Sequence, residues 1–264
     1  MRYRQINTEK ALKKIMFKDN LFRGNYTIDP YQNCEFGCRY CDSTYSDTIY
    51  IKENILNKLK LEIKSISKDE RIIIGSVHDP YQPVEKDFEL TRKIIELLEK
   101  ENISYHILTK SDLILRDKDI ISSTNENIVT ISISALDKRT VSIFEGKIIS
   151  PKERMNIIKL FTDAGVKSGL AIMPILPYIT DQDLKEIFKI AHEKNIDYIL
   201  CKYLELKGDQ KRKFFDIIKL NYDNLFEKYQ GLYKDSYKPD DKYISNLKKA
   251  IGFLSEKYSL KLSI

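Results

Sequence analysis

The chain has no tryptophan, only three histidines and only four cysteines in 264 residues. Each scarcity removes a possibility. The histidines, His78, His106 and His192, lie far from the cysteines in sequence, so a structural zinc site lacks its usual fourth ligand unless a remote His78 supplies it. There is no long hydrophobic run. The most apolar stretch, LAIMPILPYI, is broken by Pro174 and Pro177, which leaves no candidate membrane-spanning helix. The N-terminus, MRYRQINTEK, lacks the apolar core of a signal peptide. The expected compartment is the cytoplasm, where disulfides are rare and clustered cysteines bind metal or react. There is no block of one charge either. Charged residues make up 32% with both signs interspersed, and the net charge is +6, compatible with an anionic ligand but unlike a basic tail. Missing tryptophan and abundant lysine and isoleucine reflect an AT-rich coding composition more than a function. No repeat, low-complexity tract or linker interrupts the chain, so one domain over residues 1–264 is expected.

What is present is an alternation of short β-branched runs with longer amphipathic segments. Residues 25–31, 71–76, 104–110, 127–134, 167–174 and 197–206 read as strands, and 51–65, 87–101, 152–165 and 181–194 as helices. Thr180 and Asp181 suit a helix N-cap and Pro151 a first helical turn. Six strands with intervening helices predict an α/β fold with parallel pairing, either a partial (β/α)6 barrel or an open sheet over about 25–206. The mostly helical residues 207–264 are expected to cover an end or a side of it. Ligands of such folds sit at the C-terminal ends of the strands.

Three of the four cysteines follow the first strand, in YQNCEFGCRYCDS. Disulfide pairing leaves an odd thiol in the wrong compartment, and unrelated buried thiols do not usually gather at this spacing. A cubane iron–sulfur cluster is held by thiolates. Cys34-x3-Cys38-x2-Cys41 lets one loop reach three irons, with Gly37 permitting the tight turn, and leaves the fourth iron open.

That motif, with the aromatic Tyr40 before its last cysteine, resembles the signature of the radical S-adenosylmethionine (SAM) superfamily. The resemblance implies a partial (β/α)6 TIM barrel, a 4Fe–4S cluster on Cys34, Cys38 and Cys41, SAM on the open iron, and a deoxyadenosyl radical that abstracts a substrate hydrogen. DPYQNCEFGCRYC, HDPYQPVEKDFELTRKIIELL, ILTKSDLILRDKDII and ISISALDKRTVSIFEG further resemble the spore photoproduct lyase-like family over about residues 25–205. Carried over by position, Lys110 meets the SAM carboxylate, Ser132 and Ser134 contact SAM, Tyr40, Met173 and Pro174 line the adenine, and Ser76 joins the SAM contacts.

Ser76 is also a departure. The lyase carries a hydrogen-donating cysteine at that place before Asp79, and a hydroxyl O–H bond is too strong to replace a thiol. Cys201, on the sixth strand, reads as a small buried hydrophobe. The chain is also shorter on its N-terminal side than the DNA-repair enzyme. Size, composition and the missing thiol suit a different activity, the cleavage of queuine at its C–N bond to release 7-aminomethyl-7-deazaguanine. Such a base offers N–H donors, which predicts a carboxylate acceptor from Asp79, Glu145, Asp47 or Asp42, although Glu145 also has Arg154 as a candidate partner. Asp79, His78 and Glu145 are the catalytic candidates. His78 and Gln82 suit the ring diol, and Tyr31, Tyr45, Tyr81 and Tyr178 suit base stacking.

The alternative substrate is nucleic acid, in a lyase of spore photoproduct lyase type, with salt-dependent binding as its mark. A flavodoxin or ferredoxin is the expected reductant. A peptide-modifying enzyme would need more cysteines for auxiliary clusters, and a ferredoxin a fourth cysteine ligand. Cys38→Ala is expected to abolish both the visible absorbance of the reconstituted cluster and all SAM cleavage; retained cleavage would rule out the radical reading.

Overall fold

The computed structural model describes residues 1–16, 21–41, 47–124, 126–146 and 148–264. In chain order, β1 (Arg2–Ile6), β2 (Lys13–Lys14), β3 (Tyr26–Ile28), β4 (Tyr31–Gln32) and β5 (Thr48–Lys52) precede α1 (Ile55–Glu62) and β6 (Ile72–Ile74). Then come α2 (Glu85–Phe88), α3 (Leu90–Lys100), β7 (Tyr105–Thr109), α4 (Lys118–Ile121), β8 (Ile128–Ser132), α5 (Lys138–Phe144), α6 (Pro151–Thr162) and β9 (Lys167–Ile175). The chain closes with α7 (Leu184–Glu193), β10 (Tyr198–Tyr203), α8 (Asp209–Asn221), α9 (Asp223–Leu232) and α10 (Asp241–Tyr258).

Strands β3, β6, β7, β8, β9 and β10 lie side by side in that order, all parallel, with β2 antiparallel at the β3 edge. This is the mostly parallel α/β architecture that the alternating pattern predicts. Its strands are buried on both faces, hence their continuous apolar runs. Ile74, Ile107, Val129 and Leu170 face outward to helices, which bury Ile94 and Leu98 of α3, Ile158 and Phe161 of α6, and Ile187 and Phe188 of α7.

The inward face holds Ile128, Ala171, Tyr198 and Leu200, with Leu108 and Met173 packed against them. Gly169 makes room for this layer, since a Cβ there would lie 2.1 Å from the Tyr198 ring. The polar groups inside are paired: Thr130 Oγ1 lies 2.6 Å from both Tyr198 Oη and His106 Nε2, and His106 Nδ1 lies 3.1 Å from the Phe22 carbonyl oxygen.

Two features depart from the sequence expectations. Part of the stretch expected to be helix, from residue 51, belongs to β5, which pairs with β1 and β4 in a second, three-stranded sheet. Burial of Ile49 and Ile51 favours the strand there. Thr180 and Asp181 do not cap α7. Thr180 Oγ1 accepts from Leu176 N at 2.8 Å, and Asp181 accepts from Tyr178 N and the Tyr243 hydroxyl at 2.8 and 3.0 Å. Pro151 does open α6, behind a Ser150–Glu153 capping box.

The C-terminal helices divide their work. Phe214, Ile218, Leu225 and Tyr229 of α8 and α9 pack with Phe36 and Tyr40 beside the cysteine loop, while α10 lies on α7. The tail runs along β10, where Ile199 N donates to the Lys261 carbonyl at 2.8 Å. Among the described residues no helix is long and apolar enough to cross a membrane. Gly169→Ala is expected to cost about 1–3 kcal/mol through overpacking against Tyr198, read as a lower urea midpoint. An unchanged midpoint would show that the Tyr198 ring can move aside.

Candidate active site

At the C-terminal ends of the parallel strands lies a cavity of ≈ 410 Å³. The β3-side loop lines it with Cys34, Phe36, Cys38, Tyr40 and Cys41; the loop after β6 contributes Gly75, Ser76, Val77 and Asp79; β7 and the residue after it contribute Leu108, Thr109 and Lys110; β8 Ser132; β9 Met173 and Pro174; and β10 with its following loop Lys202, Tyr203, Leu204, Glu205 and Lys207. This is the rim on which such folds carry ligands. Burial pushes the Cys34 and Cys38 thiols up to about 12, so metal loading must displace their protons. Among the described residues no three His, Cys, Asp or Glu side chains converge on a point suited to a single ion.

The loop is held from several sides. Its Arg39 N–H donates to the Phe144 carbonyl at 2.7 Å, and Cys41 N–H to the Cys38 carbonyl at 2.9 Å. Gln82 accepts from Glu35 N at 2.9 Å and donates to the Asn33 carbonyl at 3.0 Å, and Glu35 accepts from Val84 N at 2.7 Å. Gln210 of α8 donates to the Tyr40 carbonyl. Gly146, at φ +63, packs so closely that a Cβ would meet the Phe36 carbonyl at 2.4 Å.

Behind Tyr40 lies a buried cluster. Glu145 accepts from the Tyr40 hydroxyl at 2.6 Å and from Ser134 Oγ at 2.5 Å, and forms an ion pair with Arg154. Arg154 also donates to the Ser132 carbonyl at 2.9 Å. Burial pushes the Glu145 carboxyl up, but the charges of Arg154 and Lys110 and the donors around it outweigh burial and hold it at about 2. In front of Tyr40, Lys110 Nζ stands 5.9 Å from the ring centre. The Asp79 carboxylate accepts from Thr109 Oγ1 at 2.6 Å, Lys110 N at 2.8 Å and Tyr81 N at 2.9 Å. Burial pushes its carboxyl up against these donors, which favour the charged form.

The structure thus gathers Cys34, Cys38, Cys41, Tyr40, Ser76, Asp79, Lys110, Ser132, Met173 and Pro174 around one cavity. It does not bring the other expected residues there. Glu145 and Ser134 lie behind Tyr40, their oxygens engaged with each other. Tyr31 is fully buried and donates to Glu85, and Tyr81 is fully buried and donates to Asp117 at 3.1 Å. Gln82 clamps the loop backbone. His78 takes part through its backbone N–H, 3.4 Å from Asp29 Oδ1. Asp47 is exposed and lies 3.6 Å from Arg2. Tyr178 packs edge-on to Tyr229 and Tyr243. Tyr45 and Asp42 lie outside the described residues. Lining residues not anticipated from sequence include Leu21, Phe22 and the group Lys202, Tyr203, Glu205, Lys207 and Gln210.

A family model described as the Radical SAM superfamily matches residues 28–191. An uncharacterized protein of Methanocaldococcus jannaschii is 29% identical over 214 residues, covering 76% of this chain and 78% of its own length. The spore photoproduct lyase of Clostridium acetobutylicum is 23% identical, over 82% of this chain and 69% of its own. A solved spore photoproduct lyase with bound AdoMet and dinucleoside spore photoproduct matches with a TM-score of 0.70 at 14% identity, over 96% of this chain and 78% of that chain.

Glu145 carries a pH signature. Its folded value lies below the ordinary carboxylic value of about 4.3, so its stabilisation is fully present above that value and is lost as pH falls toward about 2. Glu145→Gln is expected to cost about 3–5 kcal/mol by leaving Arg154 buried without its counter-charge, and to flatten the acid limb of stability against pH in urea titrations. An unaltered acid limb would show that another group sets it.

Proposed function

The chain belongs to the radical SAM superfamily, and we propose that it is a radical SAM lyase acting on a damaged or modified nucleobase within nucleic acid. The superfamily uses a 4Fe–4S cluster and SAM. The residues fit that pair: three thiols and no fourth cysteine line one cavity, with a strand-end lysine beside them. In this reading Cys34, Cys38 and Cys41 hold the cluster, and Lys110 faces the SAM carboxylate. When bound, the pair supplies a carbon radical that removes a substrate hydrogen atom.

The chain's own residues do the positioning. Asp79 fixes the Lys110 backbone through its amide, and the Tyr40 ring is held from behind by Glu145. Met173 and Pro174 provide an apolar wall that excludes water from a reactive intermediate.

The observation that carries the reading is the meeting of the three-thiol loop, Lys110 and Asp79 at one cavity. The nucleic-acid half rests on the likeness to spore photoproduct lyase over most of the chain. The queuine expectation finds no support in the relatives described above. The chain does not repeat the lyase's thiol chemistry in this reading. Ser76 lines the cavity where a thiol is expected, and Cys201 packs instead against the core shared with the helices.

The test is an anaerobic incubation of reduced, reconstituted protein with SAM and, in separate arms, ultraviolet-irradiated DNA, bulk tRNA or queuine, read by mass spectrometry. The expected result is 5′-deoxyadenosine formation stimulated by a nucleic-acid arm, with a nucleoside altered in mass. Stimulation by queuine alone would overturn the substrate in favour of the free base.

A further inference from the structure

The carboxylates that brace the site are paired with guanidinium groups: Glu145 with Arg154, Glu85 with Arg116, and Asp117 with Arg92 and Arg116. Asp79 differs. It lines the cavity together with the three cysteines, yet among the described residues it forms no ion pair. Its close partners are uncharged. Thr109 Oγ1 and Tyr81 N donate to Oδ1 at 2.6 and 2.9 Å, and Lys110 N donates to Oδ2 at 2.8 Å. Thr109 Oγ1 in turn accepts from Ser111 N at 3.0 Å, which leaves its proton for Asp79. Three donors favour the carboxylate form, so a negative charge is held in the cavity with no cation at ion-pair distance. Burial pushes the Cys34 thiol up and the Asp79 charge pushes it further. The Lys110 ammonium, beyond ion-pair distance from Asp79, acts in the opposite sense on Cys38, where it opposes burial.

We infer that the unpaired Asp79 carboxylate lowers the reduction potential of the cluster held by Cys34, Cys38 and Cys41, and so makes it a stronger one-electron donor. This rests on the reading of those cysteines as cluster ligands. It gives a second role to a residue that also fixes the Lys110 backbone. An electron added at the thiolates meets a like charge, and in a partly buried cavity that repulsion is only partly screened. Charge beside the ligand sulfurs is one of the levers by which a protein sets such potentials. A guanidinium partner, as at Glu145, would cancel the field, and at Asp79 none is supplied.

The experiment is a redox titration of the reconstituted, SAM-free protein, followed by electron paramagnetic resonance of the reduced cluster. Asp79→Asn is expected to raise the midpoint, so that at a fixed poise the ratio of reduced to oxidised cluster rises about tenfold. Asp79→Ser, uncharged and smaller, is expected to do the same and serves where the Asn side chain disturbs the turn. Thr109→Val removes one donor but keeps the carboxylate, and is expected not to raise the midpoint. A merely structural role for Asp79 would make the Thr109 and Asp79 variants alike. A midpoint that fails to rise in the Asp79 variants, or that rises equally in Thr109→Val, overturns the inference and leaves the cluster assignment standing. A wild-type protein that takes up no cluster on reconstitution overturns the assignment and the inference together.

Discussion

A loop that turns three thiols toward one cavity cannot use those side chains to hold itself in place, and here a buried carboxylate does much of that work from behind. Glu145 accepts from Tyr40, inside the cysteine motif, and from Ser134 just past the end of β8, and it neutralises Arg154, which in turn holds the β8 carbonyl of Ser132. The cysteine loop, the β8 end and α6 are therefore tied through one carboxylate. A buried ion pair is costly to desolvate and is held only where further hydrogen bonds complete it. The donors from Tyr40, Ser134 and Arg154 complete it here. The same geometry explains Gly146, since the turn carrying Glu145 has to lie against the Phe36 carbonyl.

A second buried network braces the other flank. Arg116 bridges Glu85 and Asp117 at 2.7 Å each, and Arg92 joins Asp117 at 2.8 Å. Tyr31, just before the cysteines, donates to Glu85, and Tyr81, just after Asp79, donates to Asp117. The two tyrosines that flank the site in sequence thus anchor its loops to α2, α3 and the 112–117 turn. Asp79 closes the arrangement by holding the Lys110 amide. Site precision comes from these outer contacts, because cavity-lining side chains are only as fixed as the backbone that carries them.

The split between what the sequence disclosed and what it hid follows from range. The six parallel strands were legible because burial on both faces leaves a local, continuous apolar signature, and the thiol motif because one loop carries it whole. Lys110 was legible because a strand end fixes its place on the rim. Tyr31, Tyr81 and Gln82 were not, because aromatic and polar residues next to a site look alike whether they face a ligand or a buried carboxylate 36 or 54 positions away. The β1–β5 pairing was hidden for the same reason, since Ile49 and Ile51 read equally well as the start of a helix. Lys202 lines the cavity where β9 and β10 shift register, which no local sequence pattern discloses.

The cavity is lined by lysines from more than one strand end. Lys110 stands over Tyr40 beside the thiols, with Asp79 holding its backbone and Glu145 behind the ring. Lys202 and Lys207 stand at the mouth, turned about Glu205. The lining is mixed: Phe22, Leu108, Met173, Pro174 and Leu204 supply apolar surface, and Ser76, Asp79, Thr109, Ser132 and Gln210 supply polar groups. Lys202 and Lys207 are 50% and 64% exposed, so solvent and salt screen their fields. Burial and charge placement act together, because apolar surface excludes water and any charge left inside acts more strongly where water is excluded.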